Sequence, residues 1–325
     1  MKSIYKVVMG VLAAALLFST AAKAAEPLRI GYSDWPGWVL WEVPLEKGWF
    51  KEAGLDVKFE WFDYVASMDA FGAGKIDIVG MTNGDTLVTG STGAKSVMFL
   101  LNDYSNGNDM VIAKPGIKSV KELKGKKIGV EIGFVSHLLL LNALKKNGMT
   151  EKDVELVNVP TNETPQVLAS GEVDAIVAWQ PSSGIALKLV PGSKAIYTSA
   201  DEPGLIYDVY AASPKVYANR KEDLKKLLKV WYKSVDYFYD PKTRDDAIKI
   251  MASRVGLEPQ EYKTFVNGTK ILTLAEAKKY MTKADGFKSV TGSSKISDDF
   301  NVANDVYKKP EDVSSYIDFS LTLGM

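Results

Sequence analysis

Apolar and polar positions along this 325-residue chain follow a repeating strand-and-helix rhythm. Residues 28–33 form a short apolar run, a first strand. Val57-Lys58-Phe59-Glu60-Trp61-Phe62 alternates residue by residue, the pattern of a half-buried strand. Ile76-Asp77-Ile78-Val79-Gly80-Met81 supplies a third strand and residues 96–101 a fourth. One amphipathic helix with Trp41, Pro44 and Leu45 is expected between the first two, ending at Lys51-Glu52-Ala53-Gly54. A short helix follows Asp63-Tyr64, and another starts at Thr82-Asn83-Gly84-Asp85. Strands alternating with helices of this length predict a parallel sheet.

The polar stretch Asn102-Asp103-Tyr104-Ser105-Asn106-Gly107-Asn108-Asp109 interrupts the rhythm and reads as a linker. A second run then begins, with strands over residues 110–113, 127–132, 154–159, 175–178 and 195–198. Helices are expected over residues 119–123, 136–147 and 164–169, the second with leucines on most faces and therefore largely buried. Gly204-Leu205-Ile206-Tyr207-Asp208-Val209-Tyr210 reads as a return crossing, and from Pro214 onward the pattern is mostly helical. Two runs and two crossings predict two α/β lobes: residues 25–104 plus 206–325, and residues 105–205.

The chain opens with Lys2 and Lys6, an apolar run over residues 7–18, and Ala22-Lys23-Ala24. A basic start, a short apolar core and an A-x-A site predict a signal peptide, residues 1–24, cut after Ala24. The expected location is the periplasm. Cysteine is absent, which excludes disulfides, thiolate metal sites, a cysteine nucleophile and a lipid anchor on cysteine. His137 is the single histidine, which removes most metal-ligand and general-base schemes. Taking Lys2, Lys6 and Lys23 from the 40 basic residues leaves 37 against 40 acidic ones, a balance with no nucleic-acid footprint. No metal or cofactor is expected.

Five stretches together resemble a known family. Leu28-Arg29-Ile30-Gly31-Tyr32 precedes a tryptophan-bearing loop. Glu46-Lys47-Gly48-Trp49-Phe50-Lys51-Glu52-Ala53-Gly54-Leu55-Asp56-Val57 follows, then Ala73-Gly74-Lys75-Ile76-Asp77. Residues 120–129, and Gly171-Glu172-Val173-Asp174-Ala175 leading to Trp179 and Pro181, complete the set. In this order they are similar to solute-binding proteins of ABC importers of the nitrate, sulfonate and taurine type. The resemblance implies a type II periplasmic binding protein fold. Each lobe would be a mixed, mostly parallel sheet flanked by helices, with the ligand cleft between lobes. It also implies a monomer that hands a small solute to a transmembrane permease with its cytoplasmic ATPase. An enzyme resembling the family, a thiamine-pyrimidine synthase, depends on histidine. With one histidine and an export signal, this chain is expected not to be an enzyme.

Ligands in such sheets bind beyond the strand ends. The loops expected there carry Asp34, Trp35 and Trp38; Asp63 and Tyr64; Asn83 and Asp85; Asn106, Asn108 and Asp109; Glu131; Trp179 and Gln180; and Asp208. None holds a lysine or arginine at its strand end. The expected ligand-binding set is Asp34, Trp35, Trp38, Asp63, Asn83, Asp85, Asn106, Glu131, Trp179 and Asp208. Clustered carboxylates need a compensating charge, and aromatic faces attract cations. The residues therefore point to a small nitrogen-rich cation or amide, of guanidine, amine or urea type. The family resemblance alone points instead to a sulfonate, taurine or nitrate-like anion. The same residues have structural alternatives: Asp34, Asp63 and Asp85 as helix caps, Trp35 and Trp38 as packing, Glu131 as a buried structural acid, Asp208 as a hinge residue.

Overall fold

The computed structural model describes residues 26–325; the expected signal peptide, residues 1–24, lies outside the described residues. Eleven strands form two sheets among them. In chain order they are β1 (Leu28–Tyr32), β2 (Val57–Trp61), β3 (Ile78–Thr82), β4 (Val97–Ser105), β5 (Met110–Ala113) and β6 (Lys127–Val130). The remainder are β7 (Glu155–Asn158), β8 (Ala175–Ala178), β9 (Lys194–Thr198), β10 (Tyr207–Ala212) and β11 (Thr269–Ile271). The first sheet has the order β11-β4-β10-β3-β1-β2 and the second β7-β6-β8-β5-β9. Burial follows position. Central β3, β8 and β10 are buried throughout, whereas edge strands β2 and β7 hold half-exposed and exposed residues.

Both sheets are mixed. Strands β1 to β4 share one direction while β10 and β11 run back between and beside them. In the second sheet β5 alone opposes β6 to β9. The reversed strands β5 and β10 are those by which the chain enters one sheet and returns to the other. Two sequence expectations change here. Residues 102–105 are not linker but the buried end of β4, paired with β10 and β11. The stretch read as a return crossing is largely the central strand β10, every residue of it buried. Polar composition misled both readings, because Asn102, Asp103 and Asp208 sit inside the sheet.

The single helix expected after β1 is three short ones: Pro36–Val39, Glu42–Glu46 and Trp49–Glu52. Pro36 starts the first, Pro44 lies in the second, and Gly48 at φ +71° separates the last two. The helix expected over residues 119–123 is a 3₁₀ turn, Val120–Leu123. Trp41 anchors the region. Fully buried, it packs on Trp231 at 4.8 Å between ring centroids and on Phe50, Phe59 and Tyr210. Trp231 comes from the 19-residue helix Lys221–Tyr239, which buries Leu224, Leu227, Leu228, Trp231, Val235 and Phe238 along one stripe. The tail therefore completes the core beside the first sheet.

The chain crosses between sheets at residues 106–109 and 199–206. Ser105 and Ser199 hydroxyls meet at 2.6 Å, and Ser199 Oγ accepts the Gly107 N–H. Asn108 Nδ2 donates to the Phe265 carbonyl and to Thr269 Oγ1. Among the described residues no helix is long and apolar enough to cross a membrane.

Candidate functional site

The loop after β1 is held from below. Trp35 Nε1 donates to Asp103 Oδ1 at 2.9 Å, and Gly37 lies directly over the same carboxyl. A Cβ on Gly37 would stand 1.9 Å from Asp103 Oδ2, so only glycine allows this approach. Trp35, Trp38, Tyr64 and Trp179 form an aromatic cluster spanning the two lobes. Trp38 and Tyr64 stack at 5.5 Å, with planes 22° apart. Trp179, just beyond β8, meets Trp35 edge-on at 6.2 Å and Tyr64 at 5.8 Å. Trp35 and Trp38 close the circuit at 6.5 Å.

These four aromatics, with Thr82, Asp109, Val135, Ile206 and Asp208, line an inner cavity of about 10 Å3, room for about one water. Beneath it lies a row of acids. Strand register sets Asp208 of β10 opposite Asp103 of β4 on one side and Thr82 of β3 on the other. Asp85, Asp103, Asp109 and Asp208 are each at most 3% exposed. Burial pushes the Asp109 carboxyl up to about 7 and Asp85 to about 6. Asp103 and Asp208 are both raised by burial, and Asp208 is raised further by the Asp103 and Asp109 charges. Two facing carboxyl oxygens form a hydrogen bond only when one carries a proton. One oxygen each of Asp103, Asp109 and Asp208 has no hydrogen-bond partner in the protein.

An outer groove of about 350 Å3 opens beyond Tyr64 and Trp179, which line both spaces. Its acids come from both lobes: Asp34 and Asp63 from the first, Glu131 and Glu163 from the second. Burial pushes Asp34 and Glu131 up to about 7. Glu131 is raised further by Asp85 and Asp63 across the cleft, although Thr161 Oγ1 donates to it at 3.1 Å. No lysine, arginine or histidine lines either space.

The helix starts at the cleft also carry acids. Asp63 stands at the N-cap of helix Tyr64–Gly72 without a side-chain capping bond, leaving its carboxyl to the groove. Asp85 sits in the first turn of helix Asn83–Ser91, where Thr82 is the cap that accepts the Asp85 N–H. The Asp85 carboxyl accepts the Tyr64 hydroxyl at 2.5 Å, and the Val135 N–H at the start of helix Val135–Lys146 favours its charged form. Asp34 is not a cap; Trp35 occupies that position before Pro36–Val39.

The structure thus brings Trp35, Trp38, Trp179 and Asp208 to the inner cavity and Asp34, Asp63, Glu131 and again Trp179 to the outer groove. Asp85 joins them from below through Tyr64. Two expected residues lie elsewhere. Asn83 donates to Ser293 and Ser294 and accepts the Tyr207 N–H, binding helix Val290–Ala303 to the first sheet. Asn106 is exposed on the crossing, with its N–H on the Gly268 carbonyl. Asp103 was missed because it was read as linker, and Tyr64 and Asp109 were left out of the expected set. The signal available was their position beside apolar strands, Tyr64 just after β2, Asp103 near the end of β4 and Asp109 just before β5. His137 is buried and accepts the Gly133 N–H.

Comparison with known proteins extends this picture. Residues 43–244 match the family described as NMT1/THI5 like. A candidate binding protein of Brucella abortus (strain 2308) is 30% identical over 309 residues, 94% of either chain. A candidate aliphatic sulfonates-binding protein of Escherichia coli (strain K12) is 26% identical over 265 residues, 79% of this chain and 81% of that one. Among solved structures, the alkanesulfonate-binding protein SsuA of Xanthomonas axonopodis pv. citri, bound to MOPS, has a TM-score of 0.75. It is 19% identical, with 90% of this chain and 99% of that chain covered, a likeness of fold. On the family match and the 30% identical relative, this chain belongs to the NMT1/THI5-like family, and it has the two-lobed periplasmic binding fold.

Proposed function

We propose that this protein is the periplasmic substrate-binding component of an ABC importer, and that its solute is a small nitrogen-rich cation, such as guanidinium or a simple amine. One observation carries the reading. Acids from both lobes line the cleft, and no basic side chain accompanies them. Buried carboxylates that face one another are raised in pKa because the anionic forms repel and lack solvation. A cation supplies the missing charge, and the flanking tryptophans add about 0.5–2 kcal/mol each by cation–π attraction. A planar guanidinium also pairs with carboxylates in bidentate fashion. Among the described residues no group of three or more His, Cys, Asp or Glu is arranged to hold a metal ion, which favours an organic cation.

Relatives named for sulfonates raise the competing reading of an anion. Anions are commonly held at helix N-termini. Here the Asp85 carboxyl accepts the Val135 N–H at the start of helix Val135–Lys146, and Asp63 stands at the start of helix Tyr64–Gly72 without capping it, so carboxylates occupy two of the helix starts at the cleft. In the proposed cycle the lobes, residues 25–104 plus 206–325 and residues 105–205, close about the two crossings with the ligand between them. The closed form then presents the solute to the permease and its ATPase.

A calorimetric panel tests the reading. The mature chain, unfolded and refolded to strip carried ligand, is titrated with guanidinium, methylamine, urea, taurine and nitrate. Binding of guanidinium or the amine ahead of both anions is expected. Tight binding of taurine or nitrate, with no response to the cations, overturns it.

A further inference from the structure

Only the outer groove has room for the body of a solute. It holds about 350 Å3, within the range of pockets that enclose drug-sized ligands, whereas the inner cavity takes about one water. A bare guanidinium or methylamine placed in the groove would leave most of it to water. The groove is also graded by depth. Glu131, Trp179 and Ser182 are buried and Asp34 is half-buried, while the residues at the lips are exposed.

Two of the lip residues are large and apolar. Trp61, which ends β2 of the first lobe, is 36% exposed, and Ile132, just beyond β6 of the second, is 40% exposed. Apolar side chains exposed singly are ordinary, but these two line one groove from opposite lobes. Both are tied before any ligand arrives. The Arg254 guanidinium lies 4.1 Å from the Trp61 ring centroid, with its charge on Glu42 at 3.1 Å, and Tyr32 meets the ring edge-on at 5.2 Å. The Ile132 N–H donates to Asn158 Oδ1 at 3.0 Å. A contact surface already held in the free protein loses little freedom on binding. Half-buried Phe62, Val65 and Phe134 continue the apolar lining inward. The lips also carry Asp63 and Glu163, both exposed, where water and salt screen a charge. Apolar contact therefore outweighs ion pairing at the mouth.

Resting on the cation reading above, we propose that the natural solute is a cation with an apolar substituent, an alkylguanidine or alkylamine. Its charged end faces Asp34 and Glu131, which come from opposite lobes. Its substituent runs outward between Trp61 and Ile132. Closure covers the substituent from both sides, so burial of apolar surface helps to hold the lobes together.

A ligand series tests this by calorimetry on the refolded mature chain at about pH 8, where Asp34 and Glu131, raised to about 7, are largely ionised. Affinity is expected to rise through guanidinium, propylguanidine and pentylguanidine, by about twofold to fourfold for each carbon the groove covers. The heat-capacity change of binding should grow more negative along the series, the mark of apolar burial. Pentylguanidine should also bind more tightly than 4-aminobutylguanidine, which has the same length and a charged tip. Ile132→Ser, at an exposed position and checked for folding by circular dichroism, is expected to shrink the ratio of pentylguanidine to guanidinium affinity about threefold or more. A flat series, an unchanged ratio in Ile132→Ser, or tighter binding of 4-aminobutylguanidine overturns the apolar substituent and leaves the cation reading standing. Failure of guanidinium and of every substituted guanidine to bind overturns both.

Discussion

At the scale of single residues, the chemistry turns on Asp208 and the glycine that lets its neighbour approach. Asp208 is 2% exposed and faces Asp103 with no basic side chain lining the cavity above it. Asp208→Asn keeps the shape and removes the charge. It is expected to weaken guanidinium binding about tenfold or more, the equivalent of roughly 1.5–3 kcal/mol for a lost charge-assisted hydrogen bond. In the ligand-free protein at about pH 8 the same change is expected to raise the melting temperature, because one of several facing carboxylates is gone. Unchanged affinity in calorimetry would remove Asp208 from the site. Gly37→Ala acts by shape alone. A Cβ at 1.9 Å from Asp103 Oδ2 must displace that carboxyl and the Trp35 bond it accepts. Overpacking of this kind costs about 1–3 kcal/mol, read as a lower midpoint in denaturant unfolding. Asp34, Trp35, Trp38, Trp179 and Asp208 were legible from the sequence because each follows or begins an apolar run at a strand end. Asp103 was not, since an acid in a polar stretch reads as solvent-exposed until its strand partners are known.

At the scale of elements, β4 and β10 gather Asp103 and Asp208, while Asp85 and Asp109 come from the segments joined to them. This row makes folding sensitive to pH with a definite sign. A carboxyl raised in the folded state is protonated there at a pH where the unfolded chain has already released its proton. Its contribution is present below the ordinary value of about 4 and is lost as pH rises through the raised value. That value is about 7 for Asp109 and about 6 for Asp85. Ligand-free stability is therefore expected to fall from about pH 5 to about pH 8 on account of these groups. Saturating guanidinium should flatten or reverse the slope, and binding should release protons, measurable by calorimetry in buffers of differing ionisation enthalpy. A denaturant midpoint that rises with pH without ligand would show the row to be charged and already compensated. The elements themselves were largely readable, as the alternation in β2 and the amphipathic stripe of helix Lys221–Tyr239 show. The three short helices after β1 were not separated, because a continuous amphipathic stretch hides the breaks at Leu40–Trp41 and at Gly48.

For the whole molecule, the expectation is closure driven by charge. Trp179 and Glu131 on one lobe meet Trp35, Tyr64 and Asp63 on the other, so attraction across the cleft depends on what lies between them. The crossings are short and tied by Ser105, Ser199 and Asn108, which suits rotation about a narrow hinge. Small-angle scattering of the refolded mature chain is expected to show compaction on adding guanidinium, and none with Asp208→Asn at the same concentration. Compaction of equal size in the variant would separate closure from the acidic cage.

The linear order of apolar runs, the absence of cysteine and the scarcity of histidine sufficed to determine an α/β chain of two βα series and to discourage metal, thiol and histidine chemistry. Periodicity is a local property, so it survives in one dimension. Which acids face one another is not local. Asp103 and Asp208 are 105 positions apart, and only the antiparallel register of β4 and β10 sets them side by side. Likewise, Trp179 becomes a wall of the cage only when the second lobe folds against the first. Tertiary structure decided the charge of the cleft, because burial and proximity, not composition, shift a carboxyl's proton affinity.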